Sequence, residues 1–322
     1  MDQPIDEFSL ISKYFKELTN QQDVAVGIGD DAAIINPTDN HQIVVATDTL
    51  VASVHFPDTA SAEQIATRVL CVNLSDIASM GAVPKWFTLA LSMPKELVCS
   101  EWLQGFSQGL AEVADQYNVS LIGGDTTAGP LTVSITIIGE IPADQALCRK
   151  TAKEDDIIYV SGTLGDGAAA LHHITTGETP QNNRLIERFY QPHPQLALGL
   201  GLRNFASACI DISDGLIADL GHISKASGLS ASIKSHLLPI HRDVKQVYAK
   251  QCIDWALSGG DDYQLCFTVP LNRQKDFEYW ADCNNFDITA IGKMVALEHN
   301  RDYVRIDNQQ SSISAGGYSH FR

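Results

Sequence analysis

An α/β fold in two domains is predicted for this chain on three observations. Short β-branched runs alternate with amphipathic stretches in both halves, the runs lead repeatedly into turns of Gly and Asp, and a polar segment from Pro142 to Asp156 separates the halves. That segment carries Arg149, Lys150 and Lys153 and has no apolar periodicity, as expected of a connection between domains. The chain is therefore divided into 1–146 and 147–322, each of ordinary domain size.

Taken in order, Asp6 to Leu18 sets Phe8, Leu10, Ile11, Phe15 and Leu18 at near-helical spacing and predicts a helix packed on one side. Val24 to Ile28 leads into the turn of Val26 to Ala33, VGIGDDAA, where Asp30 and Asp31 stand side by side and repel unless a cation intervenes. Ile43 to Thr47 is β-branched and predicts a buried strand ending in Thr47-Asp48-Thr49, with a hydroxyl and a carboxylate at its carboxyl end. Ser61 opens a helix with Gln64 in the capping-box position, running toward Gly81, and Asn73 and Asp76 share one of its faces. A strand follows over Trp86 to Ser92, then a helix from Ser100 to Tyr117. Val119 to Ile122 drives into a turn, Gly123-Gly124-Asp125-Thr126-Thr127, and Leu131 to Ile141 alternates as a strand with one wetter face.

In the second half, the strand Ile157 to Val160 enters Ser161 to Gly167, and Ala168 to Ile174 is helical with His172 and His173 on its surface. A helix covers Gln195 to Ala206. Cys209 to Ile212 leads through Ser213-Asp214-Gly215 into the helix Leu216 to Ala226, and Gly259-Gly260-Asp261-Asp262 precedes the strand Tyr263 to Val269.

The net charge of −17, from 39 acidic against 22 basic residues, argues against a nucleic-acid groove, which needs a basic face. Seven scattered cysteines without a C-x-x-C pair are expected to be reduced and mostly buried. No apolar stretch approaches the length of a membrane span, and MDQPIDEFSL lacks a basic region followed by an apolar run, so a cytoplasmic protein without a membrane partner is expected.

Each Asp turn alone has an ordinary explanation, because Asp caps helices and stabilises turns. The recurrence at Asp31, Asp48, Asp76, Asp125, Asp211 and Asp214 is harder to dismiss, and oxygen ligands without Cys or His favour Mg²⁺, which commonly accompanies phosphate substrates. Other motifs fail on their context. Gly27 to Ala32 fits G-x-G-x-x-A, but AIINP is too short and β-branched for the helix a dinucleotide site requires. Ser161 to Gly167 lacks the Gly-Lys-Ser/Thr ending of a Walker A loop, and His241-Arg242-Asp243 has Tyr248 where a kinase loop needs Asn. No H-E-x-x-H and no G-x-S-x-G occurs.

Read together, VGIGDDAA, ATDTLV, NLSDIASMGA, IGGDTT, SGTLGDGAA, IDISDGL, ALSGGDDYQL and GGYSHF resemble the thiamine-monophosphate kinase family, in the superfamily of aminoimidazole ribonucleotide synthetase. The resemblance runs in order from about Phe8 to Phe321. It implies a two-domain α/β fold of the aminoimidazole ribonucleotide synthetase-like kind, an N-terminal sheet forming a barrel across a homodimer, and a site in the cleft. It implies transfer of the γ-phosphoryl group of ATP to thiamine monophosphate, with several Mg²⁺ ions held by Asp31, Thr47, Asp48, Asp76, Asp125, Asp211 and Asp214. Gly124, Asp125, Arg149 and Ser213 would touch the nucleotide, His55, Asp261 and Tyr318 the thiamine phosphate, and Asp30 would assist. No general base is expected, since the acceptor oxygen is already ionised.

Two positions depart from the family's pattern: Asp261 stands where Glu is usual, and Ala128 where some relatives carry Arg. Among sister enzymes, selenophosphate synthetase needs an N-terminal reactive Cys or selenocysteine, whereas Cys71 is the first Cys here; the hydrogenase-maturation protein ends in Cys, whereas this chain ends His320-Phe321-Arg322. A non-catalytic sensor is disfavoured because a binder has no need of a full set of metal ligands.

Overall fold

A computed structural model of the chain describes residues 7–19, 23–177, 183–298 and 303–307. It divides into two compact units, one of Met1–Ile77 with Ala82–Asp144, the other of Ala78–Gly81 with Gln145–Arg322.

In the first unit the chain runs α1 (Glu7–Tyr14), β1 (Val24–Val26), β2 (Ile34–Ile35), β3 (His41–Val51), α2 (Ala62–Ser79), β4 (Val83–Met93), α3 (Ser100–Tyr117), β5 (Ser120–Ala128) and β6 (Thr132–Pro142). Four strands form one sheet in the order β3-β6-β4-β5, with only β4 and β5 parallel because α3 crosses between them. The capping box is present: the Ser61 N–H donates to Gln64 Oε1 at 2.9 Å and the Gln64 N–H to Ser61 Oγ at 3.1 Å. Leu103, Phe106, Leu110 and Val113 repeat every three or four residues along α3 and are all buried. With Trp86, Phe87, Ile135 and Ile137 from the sheet they are part of this unit's core.

Two expectations about strands need correction. The β-branched run at Ile43 lies within an eleven-residue strand, His41–Val51, that does not end at Asp48, because its pairing with β6 continues to Val51 opposite Thr132. It is also not buried: β3 is an edge strand, and Ile43 is 42% and Val45 59% exposed on its outer face. Likewise Gly123 to Thr127 is not a turn but the middle of β5, bulged against β4 at Phe87/Thr88. Gly124 sits there at φ 155°, and a Cβ on it would fall 1.8 Å from the Leu89 carbonyl oxygen, so only glycine lets the strands pair.

The second unit runs β7 (Ile157–Ser161), α4 (Asp166–Thr176), α5 (Asn183–Tyr190), α6 (Leu196–Leu202), β8 (Ala208–Ile212), α7 (Leu216–Ser227), β9 (Leu229–Ile233), α8 (Arg242–Val247), α9 (Cys252–Ser258), β10 (Gln264–Val269), α10 (Gln274–Cys283), β11 (Ile288–Ala296) and β12 (Val304–Ile306). Its six strands lie in the order β12-β9-β11-β7-β10-β8, antiparallel except for β12 on β9. Tyr159, Phe267 and Phe277 pack ring against ring in its core, with centroids 5.0 to 5.7 Å apart. His173 is buried rather than on the helix surface, since α4 is covered on that side, while His172 stacks edge-on to Tyr248.

All seven cysteines are free thiols. Cys71, Cys209, Cys252 and Cys266 are buried, Cys148 is half-buried, and Cys99 and Cys283 are exposed. Among the described residues no helix is long and apolar enough to cross a membrane.

Candidate active site

In the first unit a cavity of about 520 Å³ opens between the Gly27–Ala33 loop and the bulged strand β5. Ile11, Phe15, Leu89 and Leu121 give it an apolar wall, while Asp30, Asp31 and Asp125 line it as carboxylates. The three acids are brought there by different devices. Asp30 and Asp31 lie in the connection from β1 to β2, where the Asp31 N–H donates to Asp30 Oδ1 at 2.9 Å. Asp125 is carried by β5, next to the Gly123-Gly124 backbone that also lines the cavity. A wall of this kind offers oxygen donors together with backbone a ligand can approach closely.

Thr47 and Asp48, adjacent in sequence, are parted by the strand. Thr47 is on the exposed outer face of β3, where its hydroxyl lies 2.9 Å from that of Thr136 across the sheet. Asp48 is half-buried on the other face, and its N–H donates to Asn73 Oδ1 of α2 at 3.2 Å. Asp76 follows Asn73 by three residues on that helix, so Asp48 and Asp76 flank the same asparagine. Neither Thr47, Asp48 nor Asp76 lines the 520 Å³ cavity. His55 stands in the turn after β3, and its Nδ1 accepts the Val51 N–H at 3.0 Å, which fixes the ring with its proton on Nε2.

In the second unit three turns meet. Asp211, buried near the end of β8, precedes the half-buried Ser213 and Asp214 at the entrance of α7. The α9–β10 turn clasps this one: the Asp261 N–H donates to the Ser213 carbonyl at 2.9 Å and the Tyr263 N–H to the Ile212 carbonyl at 2.8 Å. The third turn, Ser161 to Gly167, is held by the Asp262 carboxylate, which accepts the Gly165 N–H at 2.7 Å and the Gly167 N–H at 3.0 Å. Arg149 is exposed in the segment before β7, where its carbonyl accepts the Ser227 hydroxyl. Tyr318 lies outside the described residues.

Two carboxylates that sequence reasoning left without a role organise these turns. Asp219, in the first turn of α7, accepts the N–H groups of Ser213, Asp214 and Gly215 through one oxygen, at 3.0 to 3.1 Å. Burial, then the charges of Asp211 and Asp214, pushes its carboxyl up to about 8, so three acids share one poorly solvated place. Burial likewise pushes Asp262 up to about 7, against the pull of the Gly165 and Gly167 N–H groups. For Asp219 the spacing in DISDGLIADL, an acid four to six residues after the turn it ties, is a local signal, whereas Asp262 ties a turn 95 to 97 residues away and has none.

Among the described residues, no three His, Cys, Asp or Glu side chains are grouped closely enough to hold a metal ion between them. The donor set nevertheless fits Mg²⁺, being hard oxygen throughout. That ion keeps much of its water and is held through one or two carboxylates, with a ligand's phosphates completing its shell.

Known proteins bear on this arrangement. Residues 29–141 match the family of AIR synthase related proteins, N-terminal domain. The thiamine-monophosphate kinase of Salmonella typhimurium is 43% identical over 98% of this chain and 98% of its own. The crystal structure of thiamine-monophosphate kinase from Stenotrophomonas maltophilia superposes with a TM-score of 0.85 at 42% identity, covering 95% of this chain and 98% of that one. A structure of AaThiL complexed with AMPPCP and TMP gives a TM-score of 0.78 at 29% identity, over 100% of this chain and 99% of that one. Likeness of that extent, through almost the whole of both chains, makes this two-domain α/β protein a member of the thiamine-monophosphate kinase family.

Proposed function

We propose that the protein transfers the γ-phosphoryl group of ATP directly to the phosphate of thiamine monophosphate, giving thiamine diphosphate and ADP. One observation carries the reading: Asp30, Asp31 and Asp125 converge on a single cavity beside the Gly123-Gly124 backbone. A polyphosphate meets such a wall only with cations between, so the acidity that excludes nucleic acid suits a Mg²⁺-nucleotide.

Bound Mg²⁺ supplies charge neutralisation and alignment of the two phosphates. The chain's part is to hold and orient. Asp31, Asp48, Asp76, Asp125, Asp211 and Asp214 are assigned as the Mg²⁺-holding residues, with Thr47 included on resemblance alone. Gly124, Asp125, Arg149 and Ser213 are assigned to the nucleotide, His55, Asp261 and Tyr318 to thiamine monophosphate. No residue is assigned a proton-transfer step, because the attacking phosphate oxygen is ionised at neutral pH.

Residues 1–146 would bind nucleotide and pair two subunits in a homodimer, their sheets closing a shared barrel, with 147–322 as the second α/β domain. Supporting this, the edge strand β3 exposes Ile43 and Val45 on its outer face. Val45→Glu is therefore expected to yield monomers in sedimentation velocity; an undisturbed dimer would refute this interface. The reaction is placed in the cytoplasm, with neither nucleic acid nor membrane as a partner.

The reaction itself is read by ³¹P NMR of protein with ATP, Mg²⁺ and thiamine monophosphate. Thiamine diphosphate and ADP are expected in equal amounts, and only with the monophosphate. Turnover with free thiamine, or nucleotide binding without any product, would overturn the assignment in favour of a different acceptor or a sensor.

A further inference from the structure

The turn from α9 to β10 holds an unusual backbone. Asp261 at φ 68° and Tyr263 at φ 49° are both left-handed, and neither is glycine. Such residues persist only where their surroundings over-determine them, and they gather at ligand-reading sites.

The surroundings here are specific. Between the two, Asp262 is 1% exposed, its carboxylate tied to Gly165 and Gly167 and its carbonyl accepting Arg188 Nη2 at 3.1 Å. The Gly167 backbone lies directly against the Asp261 peptide, since a Cβ on Gly167 would fall 2.5 Å from the Asp261 carbonyl. The buried Tyr263 turns its hydroxyl back to donate to Asp261 Oδ1 at 2.9 Å. A loop and a buried acid thus fix the Asp261 backbone, and a phenol holds its partly exposed carboxylate.

We propose that Asp262 and Tyr263 are positioning residues for the acceptor substrate. Asp262 locks the turn onto the Ser161–Gly167 loop, and Tyr263 sets the orientation in which the Asp261 carboxylate meets the cationic thiazolium ring. This rests on the reading of Asp261 as an acceptor-binding carboxylate.

Tyr263→Phe removes the hydroxyl and keeps the ring. Thiamine monophosphate binding, by calorimetry on the full chain, is expected to weaken about tenfold, the scale of one hydrogen bond to a charged group, with KM for thiamine monophosphate rising alike. KM for ATP is expected to stay put, and the melting temperature to fall only by the few degrees that one hydrogen bond is worth. Asp262→Asn, which also loosens the loop, should weaken the same binding and lower the melting temperature as well. Asp261→Asn is the control. If it weakens acceptor binding and Tyr263→Phe does not, or if Tyr263→Phe weakens both substrates equally, the positioning role is overturned alone. If Asp261→Asn leaves acceptor binding intact, the reading of Asp261 falls and the inference with it. If the wild type binds thiamine monophosphate with this pattern of losses yet makes no diphosphate, the proposed reaction fails and the positioning role stands.

Discussion

Replacing Asp125 by Asn is expected to lower kcat roughly 10²–10³-fold, the scale seen when a charge that stabilises a transition state is removed. The exposed side chain lines the cavity of the first unit, and an amide of the same shape leaves β5 paired with β4, so the melting temperature should not move. Asp48→Asn is expected to behave alike, because the contact that holds that residue to Asn73 is made by its backbone N–H. Rates are best compared at saturating Mg²⁺, where weakened ion affinity alone would be compensated. Near-wild-type turnover there would sink the assignment of these carboxylates.

Arg184→Ala should cost stability rather than chemistry, by about 3 kcal/mol, because it removes the bidentate partner of the buried Asp166 carboxylate and leaves only the Arg188 cation, at 4.0 Å, beside it. The pair is bidentate, with Arg184 Nη1 and Nη2 each 2.9 Å from an Asp166 oxygen. Burial alone would raise the Asp166 carboxyl, but the hydrogen bonds from Arg184 and Thr163 and the nearby guanidinium charges outweigh it and hold the group below 3.8. A carboxyl held low contributes stability that is fully present above its unfolded value and is lost as pH falls through the folded one. In the variant, burial acts without that guanidinium, so the carboxyl rises and acid relieves it. A fall in melting temperature on the order of 10 °C is expected at pH 7, narrowing toward pH 4. A gap that does not change with pH would mean the ion pair is not its source.

Much of the fold was legible because local rules and tertiary packing agree. The Ser61/Gln64 capping box, the apolar stripe of α3 and the strands entering Ser161 and Ser213 are short-range features that the residues specify on their own. The two misread strand ends share one cause. The Gly or Thr beside Asp48 and Asp125 points to strand ends, yet both lie within strands whose length is set by partners distant in sequence. Strand pairing also explains why Thr47 and Asp48 face opposite ways, which adjacency in sequence could not reveal. Asp219 and Asp262 escaped notice as organisers because their work is done on backbone N–H groups, and a sequence does not show where those point.

The distribution of the cysteines has a practical side. Only a thiolate reacts readily with alkylating reagents, and burial pushes the Cys71 thiol up to about 12 and raises Cys209 and Cys266 also, leaving these three inert at neutral pH. Cys99, at the start of α3, and Cys283, at the end of α10, are exposed and fall one in each unit. With Cys148 and Cys252 changed to Ser, the chain therefore carries its own pair of dye attachment points. Energy transfer between them would then report on the chain as nucleotide is added, with Cys71, Cys209 and Cys266 left in place.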